Sequence, residues 1–329
     1  MQKIRIGIVG YGNIGRGVQS AINQSDDMEL IAVFTRRDAS TLNVNDPKVK
    51  VIHIDNAFNY VNEIDVMILC GGSANDLPTQ GPQFAAKFNT VDTFDTHAKI
   101  PEYFEKMDES SKMCKKISAI SIGWDPGLFS INRMFAEAIL PNGENYTFWG
   151  KGVSQGHSEA LKKVEGVKYG IQYTIPKEDA INKVRLGENP KLTTKERHLR
   201  ECFIVPEENS NRDKIETTIK NMPNYFEPYE TVIHFITEEE FKENHKKMPH
   251  GGFVIRTGKT GFNNENNQLY EFSIKLESNP EFTSSIVVAY ARAIYRMNKE
   301  GIYGAKTVFD IPIGYLSPKS MADLRKELL

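Results

Sequence analysis

The sequence predicts an α/β chain: a doubly wound parallel-sheet domain, then an α+β domain with a mostly antiparallel sheet. Three observations carry this. Short apolar runs alternate with helical patterns as far as Ile122, the grammar of a parallel βαβ sheet. A glycine-rich turn separates the first strand from the first helix. Beyond Gly123 the strands lengthen and alternate apolar with polar residues, as half-exposed antiparallel strands do.

Residues 3–9 read as the first strand, 13–22 as a helix, and 28–34, 49–54 and 66–70 as three more strands. Residues 74–88 read as helical, 90–92 as a short strand, 98–114 as a longer helix and 117–122 as the sixth strand. Pro126 and Gly127 punctuate a loop before an amphipathic helix over 128–140. Segments 168–175, 200–205, 229–236, 252–258 and 268–277 then form one mostly antiparallel sheet. Helices 209–221 and 280–298 are expected on its other face, and the charged run 242–247 as a solvated turn. The expected division is 1–122 for the first domain and 123–294 for the second, with 295–329 returning to the first.

The 329 residues suit about two domains of ~150 residues each. Hydrophobic residues make up 40% and charged residues 26%, too apolar for a disordered chain. Lys plus Arg number 41 against 43 Asp plus Glu, a net charge of −2, with a pI near 6.4. That balance argues against nucleic-acid and membrane-surface partners. The longest apolar runs, such as 66–70, are too short to cross a bilayer, and no secretory leader is recognisable. Cys70, Cys114 and Cys202 form no C-x-x-C pair, so neither a disulfide framework nor a metal site is expected. A cytoplasmic location follows, with the sequon Asn145-Tyr146-Thr147 left unmodified.

Gly10-Tyr11-Gly12-Asn13-Ile14-Gly15 matches G-x-G-x-x-G between a strand and a helix, the context that marks a Rossmann-type dinucleotide site. The first glycine permits the tight turn, the second lets backbone approach a pyrophosphate, and the third packs helix on strand. About 20 residues on, where NAD sites carry an acid, the chain reads Thr35-Arg36-Arg37, with Asp38 only after both arginines. Guanidinium groups there suit a 2′-phosphate, so the expected cofactor is NADP(H). Cys70-Gly71-Gly72-Ser73 ends the fourth strand, and Asp92 and Thr93 end the fifth; these small and polar residues are expected along the cofactor. Cys70 reads as a small hydrophobe rather than a nucleophile.

Asp95 follows the fifth strand, and Asp125 follows the sixth within Gly123-Trp124-Asp125-Pro126-Gly127. Paired acids beside a hydride-transfer site can hold a substrate ammonium and move its proton; as helix caps they would do neither. Chemistry alone does not choose between the two acids.

At this point the residues resemble a family. The glycine loop, Phe34-Thr35-Arg36-Arg37, Gly123-Trp124-Asp125-Pro126-Gly127, Phe148-Trp149-Gly150 and Ser154-Gln155-Gly156-His157-Ser158 carry the resemblance. So do Arg200-Glu201-Cys202-Phe203, Met248-Pro249-His250-Gly251-Gly252 and Asn279-Pro280-Glu281-Phe282-Thr283. Together they resemble the meso-diaminopimelate dehydrogenase family along nearly the whole chain. The resemblance implies NADP-dependent oxidative deamination of the D-centre of meso-2,6-diaminopimelate, giving L-2-amino-6-oxopimelate, ammonia and NADPH. In reverse, the reaction supplies a lysine and cell-wall precursor.

By position, the resemblance implies that Asp95 and Asp125 face the reacting ammonium. Trp124, Phe148, Trp149, Gln155 and Gly156 would shape that end, while Thr174, Arg200, His250 and Asn279 would hold the distal L-configured head. It also implies a homodimer. The residue types agree: Arg can grip a carboxylate through two parallel bonds, and His, Thr and Asn can complete the set. The spacing of His245 and His250 finds no third metal ligand. The rival reading is a sugar or polyol dehydrogenase of the Gfo/Idh/MocA type, which carries a Lys after the fifth strand where this chain reads Asp92-Thr93-Phe94-Asp95. A silent NADP-binding sensor would need neither the paired acids nor the distal clamp.

Overall fold

The computed structural model describes residues 3–44, 46–223 and 225–329. The chain divides into two compact units, residues 1–131 with 280–329, and residues 132–279.

In the first unit, β1 (Ile4–Val9), α1 (Asn13–Asn23), β2 (Met28–Thr35), β3 (Lys50–His53) and β4 (Val66–Leu69) follow one another. Then come α2 (Leu77–Ala85), β5 (Asn89–Asp92), α3 (Ile100–Met113) and β6 (Ile117–Ala119). All residues of β4, β5 and β6 are buried, as strands covered on both faces must be. The expected sixth strand stops at Ala119 because Ser121 takes a left-handed φ of +57°, which no strand tolerates.

Helix α4 (Leu128–Ile139) leads to the second unit's elements β7 (Gly143–Trp149), β8 (Gly152–Val153), α5 (Gln155–Leu161), β9 (Val167–Pro176) and α6 (Glu178–Arg185). They continue as α7 (Thr194–Arg197), β10 (His198–Pro206), α8 (Arg212–Lys220), β11 (Glu230–Phe235), α9 (Glu238–Asn244), β12 (His250–Thr260) and β13 (Asn266–Leu276). The chain closes with α10 (Asn279–Lys299), β14 (Gly304–Lys306) and α11 (Met321–Leu328).

The first sheet runs β14-β6-β5-β4-β1-β2-β3, parallel throughout. Strand order reverses direction between β1 and β4, the crevice where open α/β sheets bind ligands. One face carries Ile6, Ile8, Val18 and Ile22 against Val287, Ala291, Ile294 and Met297 of α10; the other packs Phe34, Leu69, Phe84 and Met107. The helix expected to cover the antiparallel sheet is therefore a helix of the parallel one. Its apolar stripe dictates a buried face, and periodicity does not say against which sheet.

In the second unit, two sheets stand where one was expected: β11-β10-β9-β8 and β13-β12-β7. Pairing is antiparallel except between β10 and β11. Helix α8 starts at Asn211, whose side chain accepts from Lys214 N at 3.0 Å, and packs Ile215 and Ile219 against Cys202 and Ile204 of β10. The charged run 242–247 is the end of α9 and the turn after it.

Candidate active site

The first unit sets its candidate residues along one sheet edge, in the order of the strands. At the end of β1, Gly10 has a φ of +88°, and its amide donates to Phe34 O at 2.8 Å. A Cβ on Gly15 would stand 2.3 Å from Gly10 O, so α1 starts hard against its own loop. Gly12 is the opposite case: nothing lies within 4 Å of a Cβ there, and no side chain caps α1. An open backbone surface at a helix start fits a diphosphate.

At the end of β2, Thr35 Oγ1 accepts from Arg37 N at 3.1 Å, and Arg37 Nη2 donates to Tyr11 O at 2.7 Å. The second guanidinium thus reaches the glycine loop. Arg36 is 67% exposed and pairs with Asp76 at 2.9 Å. Asp38 is spent on its own turn, accepting from Ser40 N at 2.9 Å and Ser40 Oγ at 2.8 Å, which holds its carboxyl below the usual range. Two arginines, with Asp38 turned onto its own turn and Asp76 paired to only one of them, fit a 2′-phosphate, and with it NADP.

Cys70 follows β4, and burial pushes its thiol up to about 12, so it is not a thiolate nucleophile. Gly72 N donates to Asp76 at 2.9 Å. Ser73 Oγ accepts from Asp95 N at 3.0 Å and donates to Thr93 O at 3.5 Å, tying the end of β4 to the loop after β5. Asp95 is exposed and Asp125 half-buried, each in the loop that follows its strand. Trp124 is buried, its ring edge-on to Phe129 at 5.2 Å. Asp92, expected along the cofactor, turns inward instead. It is wholly buried, accepts from Phe94 N, Ser121 N and Tyr103 Oη at 3.0, 3.1 and 2.8 Å, and burial pushes its carboxyl up to about 6.

The second unit builds around Arg200. Alternation along β10 turns His198, Arg200 and Cys202 inward. Arg200 is 6% exposed, donates from Nη1 to Thr174 Oγ1 opposite it on β9, and lies with Cζ 3.8 Å from the centre of the Tyr229 ring. Its Nε has no hydrogen-bond partner, and no carboxylate among the described residues pairs with it. Glu201, on the other face of the strand, pairs with Lys151 and His234 instead. A buried guanidinium without an anion is costly, so the pocket is complementary to a carboxylate it does not contain.

Two imidazoles accompany it. His157 takes a hydrogen bond at Nδ1 from Ser154 Oγ at 2.8 Å and donates from Nε2 to Tyr225 O at 3.1 Å. Burial and the Arg200 charge push it down to about 4. His198 Nε2 accepts from Trp149 N at 2.9 Å, and the same causes push it to about 3. Both are neutral, so Arg200 keeps its charge unopposed.

Thr174 pairs in register with Gly152 of β8, where a Cβ would stand 2.4 Å from the His250 ring. Val153 N donates to Pro249 O, and Asn279 N to Met248 O, each at 2.9 Å. Gln155 Nε2 reaches Met248 Sδ at 3.7 Å. The structure thus brings Thr174, Arg200, His250, Asn279 and Gln155 together around β8, and leaves the space at Gly156 open. It separates Phe148 from Trp149: Trp149 is 36% exposed and stacks on His198 at 5.3 Å, whereas Phe148 is fully buried with Tyr146, Ile181 and Ile255. Adjacent strand residues face opposite ways, although both rings flank His198, Phe148 at 6.1 Å. Tyr229, His157 and His198 were missed from sequence; only His157 stood inside a motif that drew notice. A separate open groove of about 570 Å³, lined by Ile175, Lys177, Glu178, Lys183, Leu199 and Glu230, holds none of the expected residues.

Known proteins are similar to this chain along its whole length. Residues 123–278 match the family model described as the diaminopimelic acid dehydrogenase C-terminal domain, and residues 4–69 match that of the dihydrodipicolinate reductase N-terminus. Meso-diaminopimelate D-dehydrogenase of Ureibacillus thermosphaericus is 62% identical over 329 residues, covering 100% of both chains. The solved DAP dehydrogenase of C. glutamicum, in complex with DAP, is 43% identical with a TM-score of 0.93 and covers 100% of both chains. An engineered D-amino acid dehydrogenase bound to NADP+ is 41% identical, with a TM-score of 0.87 and the same full coverage.

Proposed function

The chain belongs to the meso-diaminopimelate dehydrogenase family, and on that footing we propose that it oxidatively deaminates the D-centre of meso-2,6-diaminopimelate with NADP, reversibly, to L-2-amino-6-oxopimelate and ammonia. The observation that carries this is the buried Arg200 guanidinium, stacked on Tyr229, with an unspent Nε and no carboxylate of its own. A substrate whose distal head brings a carboxylate completes it. Asp92-Thr93-Phe94-Asp95, where a sugar dehydrogenase of the rival type carries a Lys, has none and ends on Asp95, which suits an amine rather than an alcohol.

The open backbone at Gly12, with Gly10, Tyr11, Asn13, Ile14 and Gly15, holds the diphosphate; Thr35, Arg36 and Arg37 hold the 2′-phosphate. Gly71, Gly72, Ser73 and Thr93 flank the remainder. When bound, NADP supplies the hydride acceptor. Asp95 and Asp125 hold the D-centre ammonium. That nitrogen must lose a proton to free the lone pair that forms the imine, and a carboxylate at hydrogen-bond distance receives it. Once that proton has passed on to solvent, the regenerated carboxylate can draw a proton from the water that attacks the imine. Trp124 neighbours Asp125 in its loop, and by resemblance to the family Trp149 and the backbone near Gln155 and Gly156 would meet the adjacent carboxylate. Thr174, Arg200, His250 and Asn279 hold the L-configured head, so one end is anchored while one C–H is presented.

The exposed apolar residues Met134, Phe135 and Ile139 of α4 and Leu269 of β13 support a homodimer. A cytoplasmic location suits a biosynthetic dehydrogenase that draws on the NADP(H) pool. The reaction is tested by following NADPH formation with the meso-, LL- and DD-isomers separately. Turnover is expected to be fastest with meso, which alone has both a D-centre to react and an L-head to clamp. LL turnover at the meso rate would overturn the stereochemical reading.

A further inference from the structure

The loops that carry Asp95 and Asp125 leave different strands, β5 and β6, yet one side chain joins them. Asp92 Oδ1 accepts from Phe94 N at 3.0 Å in the first loop and from Ser121 N at 3.1 Å in the second. Its own carbonyl accepts from Ile122 N at 2.9 Å. Asp95 follows three residues after Asp92, and Asp125 four residues after Ser121.

Each tie bears on a constrained element. Ser121 holds a φ of +57°, a conformation that non-glycine residues rarely adopt, so the turn toward Asp125 needs a reason to stay there. Phe94 is buried and stacked on Tyr103 at 4.1 Å, with 17° between the rings. Tyr103 in turn donates its hydroxyl to Asp92 Oδ2 at 2.8 Å. A hydroxyl would serve one loop, whereas Oδ1 accepts from both and leaves Oδ2 to the tyrosine. A carboxylate has two oxygens and room for several donors, so it serves both loops and the tyrosine at once.

We propose that Asp92, held by Tyr103, is a positioning residue that sets the spacing between Asp95 and Asp125. This rests on reading those two acids as the ammonium end of the site. Asp92 touches neither substrate nor cofactor in this role; it acts through backbone. Burial opposes its charge and pushes the carboxyl up to about 6, so the group is retained against its own desolvation.

The test uses Asp92→Ala, Asp92→Asn and Tyr103→Phe beside Asp95→Asn and Asp125→Asn, in the full-length protein. Readouts are kcat, KM for meso-diaminopimelate, the NADP dissociation constant, and the primary isotope effect with substrate deuterated at the D-carbon. Asp95→Asn and Asp125→Asn are expected to lower kcat/KM by about 10²-fold or more. Asp92→Ala should lower kcat by about 10²-fold, as a displacement of catalytic groups near 1 Å does. NADP affinity should stay put, and the isotope effect should rise because the chemical step has slowed. Asp92→Asn, which keeps an oxygen for both amides, should recover most of the rate. Tyr103→Phe should move kcat and the isotope effect the same way by a smaller factor, and it decides alone if the alanine variant does not fold.

If the two acid variants are impaired while Asp92→Ala and Tyr103→Phe keep wild-type kcat and isotope effect, the inference falls and the reading of the site stands. A kcat loss that only tracks the NADP-binding fraction, with the isotope effect unchanged, also overturns it. Normal turnover by both acid variants overturns the reading itself, and the inference with it.

Discussion

Along the edge of the first unit, the groups offered to a ligand are backbone at Gly12 and guanidiniums that water still reaches, Arg36 being 67% exposed. In the second unit the corresponding guanidinium, Arg200, is 6% exposed, laid on an aromatic ring and left without a counter-ion. The first arrangement costs little when empty, because solvent, Asp76 and the Tyr11 carbonyl satisfy it, and exposure limits what each contact gains. The second is costly when empty and strong when filled, because a low-dielectric setting magnifies both the missing and the present partner. A cofactor shared among many enzymes suits the first. Discrimination of one small zwitterion from others suits the second.

The sharpest way to break this comparison is Arg200→Met. The substrate KM should rise on the order of 10- to 100-fold, the worth of charge-assisted bonds at about 1.5–3 kcal/mol. kcat should fall too, since distal binding positions the reacting carbon. The melting temperature should hold or rise, because an unpaired buried charge is gone. An unchanged KM, or a marked loss of stability with wild-type kinetics, would show that Arg200 is a structural residue.

Replacing Arg36 and Arg37 together by Ala probes the solvated side. NADP binding should weaken about tenfold or more while NAD changes little, because only NADP carries the phosphate they meet. Equal losses for both nucleotides in paired titrations would remove the assignment. The effect should shrink with added salt, as it does for exposed charges, whereas the effect at Arg200 should not.

The smallest effect sets the units against each other by pH. His157 and His198 have folded pKa values near 4 and 3, below the ordinary 6.5. The unfolded chain therefore binds protons first, and the second unit loses stability as pH falls below about 6.5, by roughly 1–2 kcal/mol per imidazole at pH 5. Asp92 has a folded value near 6, above the ordinary 3.8. Here the folded chain binds the proton first, so the first unit gains about 1 kcal/mol over the same descent. Hydrogen exchange at pH 7.5 and pH 5 should show protection falling around β9 and β10 and holding around β5 and β6. Parallel loss in both units would refute the contrast.

Much of the first unit is written locally. The glycine loop, Arg36-Arg37 after β2 and the apolar runs of β1 and β4 each announce themselves within a few residues, since turn chemistry and strand burial are short-range demands. The carboxyl-edge loops were legible for the same reason: a strand that ends must hand its chain to one edge of a parallel sheet. Arg200, Thr174, His250 and Asn279 were legible only through resemblance, because no spacing in the chain links residues so far apart.

The sequence by itself determined which faces are apolar, where six of the seven parallel strands lie, and that the glycine loop, Asp95 and Asp125 each follow a strand of that sheet. Tertiary structure decided which partner each face meets: α10 on the parallel sheet, and two sheets rather than one in the second unit. It also decided the fate of polar and aromatic residues that look alike in sequence. Asp92 points inward while Asp95 does not, Phe148 is core while Trp149 is surface, and Arg200 is stripped of water by Tyr229 from the bend before β11. Periodicity specifies that a side chain is buried or exposed, but what it is buried against depends on contacts between residues far apart in the chain. For a charged group that neighbour is what sets its energy.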